Sequence, residues 1–100
     1  LPGQISYISI ARRGTEIYGN DSGMKYTSSQ KLPEIYEQLK EYGFEYAHNS
    51  YIVNLSYVAI AGPKELEFIN GEKLTVSRSR SKDFLKAFAL ELSKKYDEES

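Results

Sequence analysis

The sequence predicts a mainly β domain with antiparallel strands, one amphipathic helix in the middle of the chain and a second helix at its end. Runs of β-branched and aromatic residues, with polar residues between them, fill the first third of the chain. Turn clusters that contain glycine follow one another closely enough to join these runs as antiparallel hairpins. Two later segments instead carry apolar residues at helical spacing.

Length and composition restrict the class of protein. The 100 residues suffice for one domain, and 40% hydrophobic with 27% charged residues is typical of a soluble globular protein. Apolar runs fall short of the roughly 18 residues that a membrane span needs. Because Cys is absent and His occurs once, no disulfide, metal site or cofactor is expected. Since the sequence begins with Leu1, we expect residues 1–100 to be a single domain cut from a longer protein.

Three short strands are predicted near the start, at residues 5–10, 15–18 and 24–27. Gly14 marks the first turn, and the polar cluster at residues 19–23 marks the second. Turns spaced this closely favour antiparallel hairpins or a meander.

The middle of the chain predicts an amphipathic helix that packs against the sheet. Ser28 or Ser29 is expected to cap it, Pro33 fits its first turn and Gly43 fits its end. The apolar stripe at helical spacing consists of Leu32, Ile35, Tyr36, Leu39 and Tyr42.

Strand patterns resume at residues 44–47 and again at residues 57–61. Between them, residues 48–55 allow either a short helical turn capped by Ser50 or a strand, because β-branched residues follow that serine.

A hairpin is predicted over residues 66–76. A three-residue loop with Gly71 in the left-handed region brings Leu66 opposite Leu74 and keeps the apolar residues on one face. A two-residue turn would place Phe68 opposite Lys73 and mix the two faces. We therefore expect a type I turn followed by a glycine bulge.

The chain is expected to end in a helix capped by Ser79 or Ser81, with a frayed tail at residues 97–100. Its predicted apolar stripe consists of Phe84, Leu85, Phe88, Ala89 and Leu92.

Catalysis is not expected. His48, Ser50 and Asp21 include the residue types of a hydrolase triad, but the sequence has no nucleophile elbow and no glycine-rich oxyanion loop. A lone His is more often a structural residue, so we assign no catalytic residues and no enzyme activity.

Charge is distributed unevenly although the formal net charge is only -1. Residues 73–86 hold five basic residues and one acidic residue, whereas residues 34–45 are acidic. Such a segment is usually a solvated surface, but it can also attract phosphates. Within it, Arg78 and Arg80 alternate with serines just before the predicted helix.

Two residue types here suit the edges of DNA bases. The guanidinium of Arg78 matches guanine O6 and N7, and the amide of Asn49 matches adenine N6 and N7. Spacing alone favours a different interpretation, in which Asn49 is an ordinary turn residue and His48 makes a buried hydrogen bond to the backbone.

Two strings of residues together resemble the LytTR family of bacterial DNA-binding domains. They are H-N-S-Y-I-V-N at residues 48–54 and L-T-V-S-R at residues 74–78, and the resemblance runs from the strand at residues 5–8 to Arg80. It implies an elongated, mostly antiparallel β sandwich whose loops enter successive major grooves and bend the duplex. It also implies an output domain of a response regulator that reads imperfect direct repeats in promoters.

The resemblance assigns roles residue by residue. Asn49 and Arg78 fall on base-reading positions, and His48, Ser50 and Asn54 are expected to organise the reading loop. The residues expected to meet phosphates or support the contact are Arg12, Arg13, Ser77, Ser79, Arg80 and Lys82.

The resemblance also implies partners. These are double-stranded promoter DNA, an N-terminal receiver domain in the full-length protein of a two-component system, and a second copy on DNA; a cytoplasmic location is expected. The alternative is a protein-interaction or dimerisation module that docks through the C-terminal helix.

Overall fold

The computed structural model describes residues 2–20 and 24–99, with side chains through residue 95. Residues 21–23 of the predicted turn cluster and Ser100 of the predicted tail lie outside this part. The principal extents of the molecule are 42, 29 and 26 Å, so the domain is elongated as predicted.

Two antiparallel sheets and two α-helices build the described part of the chain. The strands are β1 (Ile5–Ala11), β2 (Gly14–Gly19), β3 (Lys25–Ser28), β4 (Phe44–His48), β5 (Tyr51–Asn54), β6 (Val58–Ala61), β7 (Glu65–Phe68) and β8 (Lys73–Thr75); the helices are α1 (Leu32–Leu39) and α2 (Ser81–Glu99). Short 3₁₀ helices cover Pro2–Gln4, Lys40–Tyr42 and Leu55–Tyr57. One sheet has the order β3-β2-β1-β5-β4 and the other the order β6-β7-β8. The predicted mainly β class is confirmed.

The central strands β1 and β5 are buried on both faces, which places the five-stranded sheet in the middle of the fold. Side chains alternate along a strand, so Tyr7 and Val53 face one way while Ile8 and Ile52 face the other. The first face packs against the three-stranded sheet and α2, through a cluster that includes Phe84. The second face is covered by α1.

The hairpin of β7 and β8 confirms the predicted register. Leu66 pairs with Leu74, and Gly71 has a φ of 93°. The Gly71 N–H donates to the Phe68 carbonyl at 2.9 Å, and the Phe68 N–H donates to the Glu72 carbonyl at 2.8 Å. These bonds close a three-residue loop in which glycine takes the left-handed position at little steric cost.

The predicted start of α1 is wrong, although its body and its end are confirmed. Lys31 precedes the helix without a side-chain cap, while the Ser28 hydroxyl accepts a hydrogen bond from the Gln30 N–H in the preceding turn. Pro33 lies in the first turn, where its missing N–H costs no helical bond. Gly43, with a φ of 86°, ends the 3₁₀ turn that continues the helix.

The predicted apolar stripe of α2 is wrong in part. Phe84 is fully buried and Phe88 is half-buried, but Ala89 and Leu92 face solvent. The helix packs through Phe84, Ala87 and Phe88, which turns the side of Ala89 and Leu92 outwards. The helix is also longer than predicted, because helical backbone continues through the expected frayed tail to Glu99, along a stretch without Gly or Pro.

Candidate nucleic-acid interface

Three turns lie together at one end of the sandwich, and we call them the turn end: residues 12–13, 49–50 and 77–80. Ser9 pairs with Tyr51, and the Ile10 N–H donates to the Ser50 carbonyl at 2.8 Å. Because β1 and β5 are antiparallel neighbours, the turn that follows β1 and the turn that precedes β5 must lie at the same end of the sheet. The third turn is joined to them by the bond described next.

An irregularity in β4 attaches the third turn. The pairing of β4 with β5 shifts between Tyr46 and His48, which leaves Ala47 between them without a ladder partner. The Ala47 carbonyl accepts a hydrogen bond from the Ser77 N–H at 2.9 Å. A bulge of this kind therefore connects the chain leaving β8 to the five-stranded sheet.

The first turn exposes two adjacent arginines. Arg12 and Arg13 form the tip between β1 and β2, and both side chains face solvent. Gly14 follows with a φ of 116°, and a Cβ at this position would overlap the Ser28 carbonyl oxygen. Glycine is required there because both the backbone angle and the neighbouring strand exclude a side chain.

The second turn is organised by His48. Its Nδ1 accepts a hydrogen bond from the Ser50 N–H at 3.0 Å, so the neutral ring carries its proton on Nε2. The imidazole also stacks on Tyr51, with ring centroids 4.9 Å apart, and the Tyr51 hydroxyl donates to the Thr75 carbonyl. This arrangement leaves Asn49 exposed at the tip.

The third turn leads directly into α2. The Arg80 N–H donates to the Ser77 carbonyl at 3.1 Å, and the Ser81 hydroxyl donates to the Arg78 carbonyl at 3.3 Å. The hydroxyls of Ser77 and Ser79 lie 3.5 Å apart. Arg78 and Ser79 are exposed, and Lys82 is exposed on the first turn of the helix.

A direct contact joins the second turn to the third turn. Arg80 Nε donates to Asn49 Oδ1 at 2.9 Å, although 31 positions separate the two residues. The Arg80 guanidinium carbon lies 4.3 Å from the centroid of the Tyr46 ring. Burial raises the pKa of the Tyr46 hydroxyl, with Arg80 acting in the opposite direction, so the ring remains neutral at ordinary pH. Arg80 is therefore held between an aromatic face and an amide.

Asn54 lies at the end of β5 that is opposite to the second turn. Its amide nitrogen donates to the Ile5 carbonyl at 2.9 Å, and its Oδ1 accepts a hydrogen bond from the Ser56 N–H at 3.0 Å. The side chain is buried, and its two bonds fix the start of β1 and the 3₁₀ turn that follows Asn54 in the chain. The bonds of Asn54 thus support the fold around the strand that carries the turn, rather than the turn itself.

Two lysines near the turn end differ in whether their charge is compensated, a difference that the sequence alone does not show. Lys64 lines a groove of about 470 Å³ together with Arg78 and Ser81. The Val76 N–H donates to the Lys64 carbonyl at 2.9 Å, and this bond holds Lys64 beside Arg78 although the two residues are distant in the sequence. Lys73, in contrast, lies 3.9 Å from the carboxylates of both Glu65 and Glu67, so its charge is compensated locally.

Residues 2–20 and 24–99 contain neither a metal-binding cluster nor a membrane-spanning helix. No group of His, Asp or Glu side chains in this part could hold a metal ion. No helix in the same residues combines the length and apolar character needed to cross a membrane.

Exposed basic residues at one end of the sandwich make this surface suited to binding a polyanion. The chain belongs to the family of the LytTr DNA-binding domain, whose model matches residues 2–89. Membership makes it a DNA-binding, transcription-regulator domain.

A similar solved structure is the LytTr DNA-binding domain of a protein from Bacillus cereus described as a methyl-accepting/DNA response regulator. The two chains are 24% identical, with a TM-score of 0.76 over 86% of this chain and 82% of the other. This similarity confirms the predicted sandwich. No curated protein matches the chain significantly.

Proposed function

We propose that the turn end binds double-stranded DNA sequence-specifically and that its loops enter the major groove of promoter direct repeats. The observation that carries the proposal is the bond between Arg80 and Asn49, because it places Asn49 on one surface with the turn that carries Arg78. Exposed cations on the first and third turns can contact phosphates on both sides of a groove. DNA binding alone is assigned here, without a catalytic step.

We assign each residue its role from the exposure of its side chain. Arg78 and Asn49 project from their turns and read base edges. The side chains that meet phosphates are Arg12, Arg13 and Lys82, with Ser77 and Ser79 as shorter hydrogen-bonding partners. Contacts on three turns also favour a bent duplex, which adds selectivity through DNA deformation.

In the full-length protein, we propose that a receiver domain controls this module and that two copies occupy one direct repeat in the cytoplasm. The family relationship supports this arrangement.

A selection of bound duplexes from a random pool tests the proposed function. We expect an enriched motif made of two half-sites in the same orientation, because each copy would read one half-site through its turn end. Recovery of sequences without any motif would contradict sequence-specific binding, whereas inverted half-sites would contradict the direct-repeat arrangement.

A further inference from the structure

We propose that Arg80 is a positioning residue that orients the Asn49 carboxamide and thereby sets the base preference at the position that Asn49 reads. This inference rests on the proposed function of the turn end. It concerns a contact between two side chains of this domain, 2.9 Å apart, rather than a contact with DNA.

The chemistry of the two groups fixes which side of the amide is presented. An arginine Nε–H can only donate a hydrogen bond, so the atom of Asn49 that faces it must be the carbonyl oxygen. The Asn49 NH₂ group is therefore the part of the amide left free to donate to an acceptor on a base. Without Arg80, the exposed side chain could present either the oxygen or the nitrogen.

Arg80 is itself held firmly enough to serve as a support. Its guanidinium packs on the Tyr46 ring at 4.3 Å, and its backbone N–H is bonded to the Ser77 carbonyl. Its carbonyl accepts from the N–H of Phe84, whose ring is fully buried in the core. The support for Asn49 thus continues through Arg80 into the packed interior.

Arg80 also differs from the other cations of the turn end. Arg12, Arg13 and Lys82 are exposed, whereas Arg80 is partly buried between Tyr46 and Asn49. Because a hydrogen bond with a charged donor is stronger than one between neutral groups, the pair should persist in solution. An orienting role accounts for this placement better than a phosphate contact alone.

A double-mutant cycle tests the inference with wild type, Arg80→Met, Asn49→Ala and the double variant, because methionine keeps the length of the stem but has no hydrogen-bond donor. Each is titrated with duplexes that carry all four base pairs at the position where Asn49→Ala loses its preference. We expect Arg80→Met to reduce discrimination at that base pair by about tenfold. The double variant should discriminate no less than Asn49→Ala, because the two residues act as one unit.

Two further variants make the result specific. Lys82→Gln removes a nearby positive charge and should weaken binding to every duplex equally. Arg80→Lys should retain part of the base preference, since an ammonium can still donate to the Asn49 oxygen but lacks the planar fork. Thermal unfolding of each variant shows whether the domain remains folded.

Several outcomes would overturn the inference. Uniform weakening by Arg80→Met, with the wild-type base preference retained and losses that multiply with Asn49→Ala, would make Arg80 a phosphate contact. An unchanged base preference in Asn49→Ala would show that Asn49 reads no base. Absence of any base preference in the wild-type domain would instead contradict the proposed function itself.

Discussion

Replacing Arg78 by alanine is expected to weaken binding to the selected duplex by about 1–3 kcal/mol and to change binding to unrelated DNA little. The side chain is exposed on the turn between β8 and α2, so its guanidinium is free to make two parallel hydrogen bonds to a guanine edge. Those bonds exist only on the correct sequence, and their loss should therefore appear only there. Titration of the variant with both duplexes at one fixed salt concentration measures the difference.

Lys82→Ala is the matched control for Arg78→Ala, because Lys82 is also exposed and lies four positions further along the chain. A lysine that meets a phosphate contributes on every sequence, so its removal should weaken both duplexes alike and lower the salt slope by about one. If Arg78→Ala behaved in this uniform way, Arg78 would be a phosphate contact rather than a base-reading residue.

Replacing Phe84 by alanine is expected to lower the free energy of unfolding by about 3–5 kcal/mol. The Phe84 ring is fully buried in the cluster between the two sheets and α2, so truncation leaves a cavity. Its N–H is bonded to the Arg80 carbonyl, and DNA affinity should therefore fall even where the variant is still folded. Denaturant unfolding, followed by DNA titration under folding conditions, measures both effects.

Leu92→Ala provides the control for Phe84→Ala. Leu92 lies on the same helix with 40% of its surface exposed, so its truncation should change the free energy of unfolding by about 0.5 kcal/mol or less. A similar loss for both variants would contradict the packing of α2 through the side that carries Phe84.

Local chemistry accounts for the parts of the fold that are predictable from the sequence. The register of β7 with β8 follows from one glycine that accepts a left-handed φ and from apolar residues at alternating positions. The end of the helix before Gly43 follows from the same property. The orientation of α2 is not predictable in this way, because Leu85, Ala89 and Leu92 give as good a helical stripe as the residues that are buried. Contact of α2 with the sheet decides which of the two stripes is buried.

Some features of the candidate site are likewise predictable from the sequence, and others are not. The resemblance to the family motifs singles out Asn49 and Arg78 as candidates, whereas spacing alone would leave Asn49 an ordinary turn residue. The contact of Arg80 with Asn49 and Tyr46 depends on the bulge at Ala47, which no local pattern reveals. The position of Lys64 depends on strand pairing across the second sheet, so nothing near it in the sequence indicates that it lies beside Arg78.

Residue-resolved NMR of the labelled domain, titrated with the selected duplex, tests most directly whether turns rather than a helix read the DNA. We expect the largest chemical-shift changes at residues 12–13, 49–50 and 77–80, with small changes at the exposed Leu90 and Leu92 of α2. The largest changes along that face of α2, with the three turns unaffected, would contradict the account and favour a helix-mediated contact.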